Sequence, residues 1–320
     1  MHGALLVDKP CGPTSHDVVA VARRALKTRG IGHTGTLDPL ATGLLVLLVG
    51  HATRLARFLV TDEKEYIADI RLGISTPTYD AQGLGSDRGQ TGVRPGADQG
   101  QTGVRPGFDA GLTPSPARVA EVLAEFLGTF PQMPPAYSAK KVDGVRAYTK
   151  ARKNQPVDLK PVEVTLHSAA VMPHEGAADD PGLIRVRLVC SAGFYVRSLA
   201  HDIGQLLGCG AHLEALRRTR AGQFHLADAV TLDVLQAADS GLDGRLIGLN
   251  ALLADLPAVT PTEEGLRRAW NGNTLAPAHL AGGLDGVGAA RIRVLNADGE
   301  VLSVAERRAD GLLHPLLVLR

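Results

Sequence analysis

Cysteine is nearly absent: Cys11, Cys190 and Cys209 are the only three in 320 residues. No two of them form a CxxC pair, and an odd count without paired spacing argues against a disulfide framework and fits a reducing compartment. Long hydrophobic runs are missing too. The longest, Leu44 to Val49, is far too short to span a bilayer and reads as a buried strand. The N-terminus reaches Asp8-Lys9-Pro10 after a few apolar residues, which leaves no secretory signal. These absences predict a soluble, cytoplasmic chain with no membrane partner. Charge of one sign is lacking as well. Thirty-four Lys and Arg against 33 Asp and Glu give +1, which neither requires nor excludes nucleic acid, since phosphate binding needs only a local basic face. There is no Walker loop, HExxH helix or kinase motif set. Cys209 and His212 have C-x-x-H spacing, but one pair lacks the four ligands of a structural zinc. No metal and no cofactor is expected.

What is present is the composition of a folding chain: 44% hydrophobic and 21% charged residues. The length favours a large catalytic body with a smaller appendage. Ala4 to Val7 reads as a strand. Ser15 can cap a helix whose apolar face uses Val18, Val19, Ala22 and Leu26. Leu44–Val49 and the alternating Tyr66, Ala68, Ile70 are further strands, with a short helix over His51–Leu59 between them. Ser115-Pro116 opens a helix that Gly128 stops. Val162–Val171 and Leu183–Ser191 alternate like strands, and Val196–Leu207 is a helix ended by Gly208. After about residue 250 the pattern becomes short β-rich pieces, including Arg291–Leu295 and Val301–Val304 around an Asn-Ala-Asp-Gly turn. The expected domains are therefore 1–250 and 251–320.

Residues 86–111 break this pattern: Gly89-Gln90-Thr91-Gly92-Val93-Arg94-Pro95-Gly96 recurs as Gly100-Gln101-Thr102-Gly103-Val104-Arg105-Pro106-Gly107. Two Gly-rich copies without a core face are too few for a solenoid, so the stretch about 86–110 reads as a functionally neutral insertion. By contrast, Gln132–Lys160 holds seven basic residues, Lys140 and Lys141 among them, with Tyr137 and Tyr148 interleaved. This is the best local signal for nucleic acid. A second basic cluster is Arg217-Arg218-Thr219-Arg220.

Asp38 stands among four glycines, at 30, 32, 35 and 43, with Pro39 directly after it. Such a segment opposes a helix and is expected to run as an extended loop at a surface cleft. By residue type alone, Asp38 would be a turn residue. The wider string changes that. Leu5-Leu6-Val7-Asp8-Lys9-Pro10, then Gly12 and Ser15, then Gly32-His33-Thr34-Gly35-Thr36-Leu37-Asp38-Pro39-Leu40-Ala41-Thr42-Gly43 closely resembles the bacterial tRNA pseudouridine-55 synthases of the TruB family. The resemblance continues in order through Lys64-Glu65-Tyr66, Tyr137-Ser138-Ala139-Lys140-Lys141, Cys190-Ser191-Ala192-Gly193-Phe194-Tyr195-Val196-Arg197-Ser198, Leu207–Leu213 and Leu216-Arg217-Arg218. It covers most of residues 3 to 225.

This resemblance implies an α+β fold: a mixed, largely antiparallel sheet flanked by helices, followed by a small β-rich PUA-like RNA-binding domain. It implies conversion of uridine 55 in the TΨC loop of tRNA to pseudouridine on a flipped-out base, with Asp38 as the catalytic carboxylate. Asp38 would act as a nucleophile on C6 or C1′, or as a base at the ribose 2′ position. Arg197 would hold its pKa low by an ion pair. Tyr66 would stack on the uracil and help a proton leave C5, with Tyr195 and Leu216 lining the same pocket. His33 would contact the RNA beside the target. Lys9 and Lys64 would neutralise phosphate or cap local structure. Lys140, Lys141, Arg217, Arg218 and Arg220 would bind the tRNA backbone and make binding steeply salt-dependent. The implied partner is the TΨC arm, acted on by a monomer that needs no protein partner. The segment Ser75–Gly83 keeps Asp80 and Gly83 but has Pro77 where the family commonly has an acid, and the insertion follows, so its role stays open. Two rival readings share the binding residues: a tRNA folding helper with secondary catalysis, and a guide-RNA or ribosomal-RNA synthase of the same superfamily.

Overall fold

A computed structural model describes residues 1–60, 63–84, 114–137, 141–142, 145–146, 159–173, 180–237, 241–284 and 288–319. The duplicated stretch and most of the basic 137–160 region, Lys140 included, lie outside them.

The body is built on strands β1 (Gly3–Lys9), β2 (Ile31–Thr34), β3 (Thr42–Val49), β4 (Lys64–Leu72), β5 (Gly128–Gln132), β6 (Lys141–Val142), β7 (Val145–Arg146), β8 (Val162–Met172), β9 (Leu183–Cys190) and β10 (Ala211–Ala221). Leaving aside the separate β6–β7 hairpin, these strands join one mixed sheet in the order β1-β3-β10-β4-β9-β8-β5, with β2 beside β3. The β3–β10 pair is parallel and β10–β4, β4–β9 and β9–β8 are antiparallel. The expected α+β class is therefore observed.

β3 explains why its sequence is continuously apolar rather than alternating: it is buried on both faces. Leu45, Leu47 and Val49 enter the core under the helices, while Leu44, Val46 and Leu48 enter a second core. β4 alternates because one face is partly open. Lys64, Tyr66, Ala68, Ile70 and Leu72 point inward, and the other face carries Arg185–Asp69 and Arg187–Glu65 ion pairs to β9. The helices that frame the site are α1 (Ser15–Ala25), the short α2 (Ala56–Leu59), α3 (Pro116–Glu125) and α4 (Val196–Leu206), with shorter helical turns at Leu232–Gln236 and Leu249–Leu252. α1 buries Val18, Val19 and Ala22, as its spacing predicts.

Two local expectations change. The cap of α1 is Thr14, which forms a reciprocal capping box with Asp17. Ser15 is instead buried, its hydroxyl donating to the Leu37 carbonyl (3.0 Å) and accepting from the Leu37 amide (2.9 Å). The Asp38 segment is also not loop throughout, because Ile31–Thr34 pairs with β3 and only residues 35–41 are irregular.

The C-terminal part forms its own four-stranded sheet of Ala258–Val259, Arg291–Leu295, Val301–Arg307 and Leu313–Val318. It is not all β, since Glu263–Trp270 is helical. Val301, Val304 and Leu317 belong to the same core cluster as Leu44, Val46 and Leu48, joined there by Leu55, Leu59, Phe224 and Leu252, so this sheet shares the core on the second face of β3.

Candidate active site

Residues 35–41 cross the C-terminal end of β2 and the start of β3, and several contacts pin this loop beside Asp38. Ser15 clamps Leu37 on one side. On the other, the Lys9 ammonium donates to the carbonyls of Pro10 (2.9 Å), Pro13 (2.9 Å) and Pro39 (3.4 Å). Lys9 is wholly buried. Burial lowers its pKa, the largest influence on it. The expectation that Lys9 meets phosphate therefore gives way to its other reading, a cap on local carbonyls.

The glycines of the motif have a steric reason. A Cβ on Gly43, whose φ is +96°, would lie 2.3 Å from the Arg218 carbonyl oxygen, and one on Gly35 would press on the Arg218 guanidinium at 3.3 Å. Arg218 fills that space. It is 1% exposed, and it donates to Leu44 O (2.7 Å) and Gly35 O (3.0 Å). It cannot serve the RNA backbone as expected, because its guanidinium is spent inside, joining β10 to the Asp38 loop. Arg217 is half-exposed but paired to Asp8 at 2.7 Å, and Arg220 lies 3.5 Å from Glu63.

The loop, β4, β10, the 191–195 turn and α4 enclose a cleft of about 330 Å³. Asp38, Lys64, Tyr66, Tyr195, Arg197, Leu216 and Arg218 all line it. These seven come from distant parts of the chain, brought together because Arg218 stands opposite Tyr66, and Leu216 opposite Ala68, in the β10–β4 ladder. His33 and Arg217 are not among the lining residues. The Lys141 side chain lies outside the described residues, as Lys140 does. A larger cavity of about 580 Å³ lies between the body and the C-terminal sheet, remote from Asp38.

Arg197 Nε lies 3.0 Å from Asp38 Oδ2. Its Nη1 donates to Asp80 Oδ2 (3.2 Å) and Thr78 O (3.3 Å), and its Nη2 donates to Tyr137 O (3.1 Å). One buried guanidinium is thus shared between two carboxylates. The Asp38 side chain is 41% exposed, in the cleft, while that of Asp80 is 2% exposed and also accepts from Thr78 Oγ1 and the Gln82 amide. The expected depression of the Asp38 pKa is reversed. Loss of bulk solvent in the cleft pushes it above the ordinary carboxylate value, Arg197 pulls it down, and Asp80 pushes it up again.

Tyr66 is buried, which raises its pKa, so the hydroxyl beside Arg218 stays protonated at neutral pH. Lys64 is held by the Val60 carbonyl at 2.7 Å. Behind it the Cys190 thiol is pushed up to about 12 by burial and is no nucleophile at neutral pH. Gln132 fixes the Tyr195 backbone with two bonds, Nε2 to Tyr195 O (3.0 Å) and the Tyr195 amide to Oε1 (2.8 Å). His33 sits edge-on to His16 with 5.5 Å between ring centroids, and burial lowers its pKa toward the neutral form. Among the described residues no cluster of three or more His, Cys, Asp or Glu could hold a metal.

Asp80 and Gln132 received no role from the sequence, and Ser15 received only that of a helix cap. For Asp80 the available signal was its place with Gly83 in a segment that keeps the family pattern. The other two act through contacts far apart in the chain.

The family model for the N-terminal domain of TruB family pseudouridylate synthases matches residues 23–95 and 108–196, and that for the tRNA pseudouridylate synthase B C-terminal domain matches 197–256. The chain belongs to the TruB family. It is 37% identical over 321 residues to tRNA pseudouridine synthase B of Solibacter usitatus (strain Ellin6076), covering 100% of both chains. It is 40% identical over 319 residues to tRNA pseudouridine synthase B of Thermobifida fusca (strain YX), covering 99% of this chain and 98% of the relative. Among solved structures, a Cbf5-Nop10-Gar1 complex gives a TM-score of 0.67 at 23% identity, over 99% of this chain and 85% of that one, a likeness of fold. TruB membership makes the chain an isomerase of the pseudouridine synthase class.

Proposed function

We propose that this TruB-family chain isomerises uridine 55 in the TΨC loop of tRNA, with Asp38 as the catalytic carboxylate. The observation that carries the reading is an ionisable, partly open carboxylate held by Arg197 at 3.0 Å in a cleft walled by Tyr66 and Leu216. The reaction breaks C1′–N1, forms C1′–C5, releases the C5 proton and returns a proton to N1. It is redox-neutral and asks for one carboxylate, a grip on a freed base and exclusion of water. Asp38 attacks carbon or removes the 2′ proton; Arg197 orients it; the neutral phenol of Tyr66 faces the uracil and can relay the C5 proton. Taking the base out of the loop costs a few kcal/mol, which contacts to the RNA backbone must offset.

Those contacts fall to the basic residues of 137–160, Lys140 and Lys141 among them, with His33 beside the vacated base stack. The 251–320 part acts as a PUA-like RNA-binding unit, and the chain works as a cytoplasmic monomer without a protein partner. The decisive measurement uses purified Asp38→Asn on a TΨC stem-loop. Pseudouridine formation is expected to fall by at least three orders of magnitude while tRNA affinity stays within a fewfold. Retained turnover would sink the assignment of Asp38, and modification by the wild-type chain alone excludes dependence on a guide RNA.

A further inference from the structure

The loop at residues 76–82 carries an unusual concentration of unfavourable features for a segment outside the cleft wall. Tyr79 has φ +61°, a left-handed backbone that side-chain-bearing residues rarely adopt. Its ring lies flat on His201, with centroids 3.9 Å apart and planes 13° from parallel. The Nδ1 of His201 is buried with no hydrogen-bond partner among the described residues. The neighbouring Asp202 carboxyl is pushed up to about 6 by burial. Strain and orphaned polar atoms persist where surrounding structure over-determines them, and they cluster around functional groups.

The arrangement has a direct line to Asp38. Arg197 and His201 are four residues apart on α4, so they share a helix face. Arg197 grips Thr78 O and Asp80 while His201 covers the residue between them. The Tyr79 carbonyl accepts from the Leu213 amide at 3.0 Å, and Asp80 bridges to Leu213 on β10. The left-handed turn at Tyr79 is thus tied down on both sides, by β10 through its carbonyl and by α4 through its ring. It delivers the Asp80 carboxylate to Arg197 Nη1. Released from the stack, Tyr79 would relax toward an ordinary backbone conformation and carry Asp80 with it.

We infer that Tyr79 and His201 are positioning residues for the reaction, holding Asp80, and through it Arg197, in the orientation Asp38 requires. This rests on the role given to Asp38 above. The alternative is plain packing at the end of a helix, and the two differ in what a ring-preserving substitution does. His201→Ala removes the stack; His201→Phe keeps it and supplies no polar atom.

Three quantities are measured for each variant: single-turnover pseudouridine formation on the stem-loop, tRNA Kd, and the titration of the Asp38 carboxyl carbon by NMR in RNA-free protein. His201→Ala should slow turnover at least tenfold with Kd within twofold. Its Asp38 should titrate at higher pH than wild type: Arg197, which pulls that pKa down, is loosened together with Asp80, which pushes it up, and the Arg197 influence is the larger of the two, while Lys9, the other charge facing Asp38, remains. His201→Phe should restore rate and titration to near wild type. A wild-type rate in the alanine variant, a phenylalanine variant as slow as alanine, or an unmoved Asp38 titration overturns the inference. If the wild-type chain forms no pseudouridine, the proposed reaction fails, while the Asp38 titration still decides the positioning claim.

Discussion

Asp38 lies between two opposing influences. Its raised pKa means that ionisation, which the proposed chemistry needs, is disfavoured relative to a solvated carboxylate. The sign of the consequence is fixed. As pH falls through that raised value the reactive form is lost, so the acid limb of kcat/KM should sit above the ordinary carboxylate range near about 4. For stability the sign runs the other way. A carboxyl with a folded pKa above its unfolded one contributes stability that is present below the unfolded value and lost as pH rises through the folded value. Thermal melts of wild type and Asp38→Asn should therefore diverge in favour of the variant as pH rises above the ordinary carboxylate value of about 4. An Asn variant that loses ground as pH rises would show that Arg197 outweighs desolvation. At this scale the sequence singled out Asp38, Arg197 and Tyr66, which the fold gathers in one cleft, because each lies in a contiguous run with a recognisable pattern. Lys9, Ser15, Asp80 and Arg218 were misread or left without a role for one physical reason. Ser15, Asp80 and Arg218 each meet a group far away in the chain, as Ser15 does Leu37 and Asp80 does Arg197, and Lys9 adds the distant Pro39 carbonyl to those of its neighbours Pro10 and Pro13. A buried Lys or Arg also looks like a surface cation until its carbonyl partners are known.

Strands with a clean alternation or an unbroken apolar run, such as β4 and β3, were legible because burial alone sets their pattern. β2 was not, since Gly30, Gly32 and Gly35 mimic a loop, and the cap of α1 was displaced by one residue because Thr14 and Ser15 are both good caps. The glycines matter most where elements meet. Gly43 lets β3 approach β10 so closely that a methyl group would enter the Arg218 backbone, and its φ of +96° is unfavourable for any other residue. Gly43→Ala should destabilise the protein by at least about 2 kcal/mol, from left-handed strain plus the clash. It should also lower turnover more than tRNA affinity, because Arg218 and the Asp38 loop shift together. Denaturant unfolding and single-turnover rates check this, and a variant as stable as wild type would mean that the β3–β10 contact yields easily. The C-terminal sheet is joined to the body at a second kind of contact. Arg54 and Arg57, flanking the start of α2, donate to the carbonyls of Val318 and Leu316 on its edge strand. Charged donors on an edge both dock it and block pairing by another chain.

Taken over the whole molecule, a net charge of +1 conceals how much of the positive charge of the described residues around the cleft is already engaged. Lys9 and Arg218 are internal, and Arg217 and Arg220 have carboxylate neighbours. The steep salt dependence expected for tRNA binding must therefore come chiefly from other residues, and the 137–160 region holds the densest supply. The duplication is the other whole-chain feature, and the family comparison sharpens it. The N-terminal family model matches up to residue 95 and resumes at 108, stepping over 96–107. The repeat offset is eleven residues, from Gly89 to Gly100, so the skipped stretch is close to one copy of the unit. Gly89–Pro95 of the first copy stays within the matched region, while Gly100–Gly107 of the second lies wholly in the skipped stretch. Loop length itself is thermodynamically mild, each doubling costing about 0.6 kcal/mol of closure entropy. Removing residues 97–107 should therefore leave Tm within a few degrees and turnover within twofold of wild type, measured on full-length tRNA and on the isolated stem-loop. A soluble deletion variant that keeps activity on the stem-loop but loses it on whole tRNA would assign the extra copy to contacts beyond the TΨC arm, and one inactive on both would place it at the reaction itself.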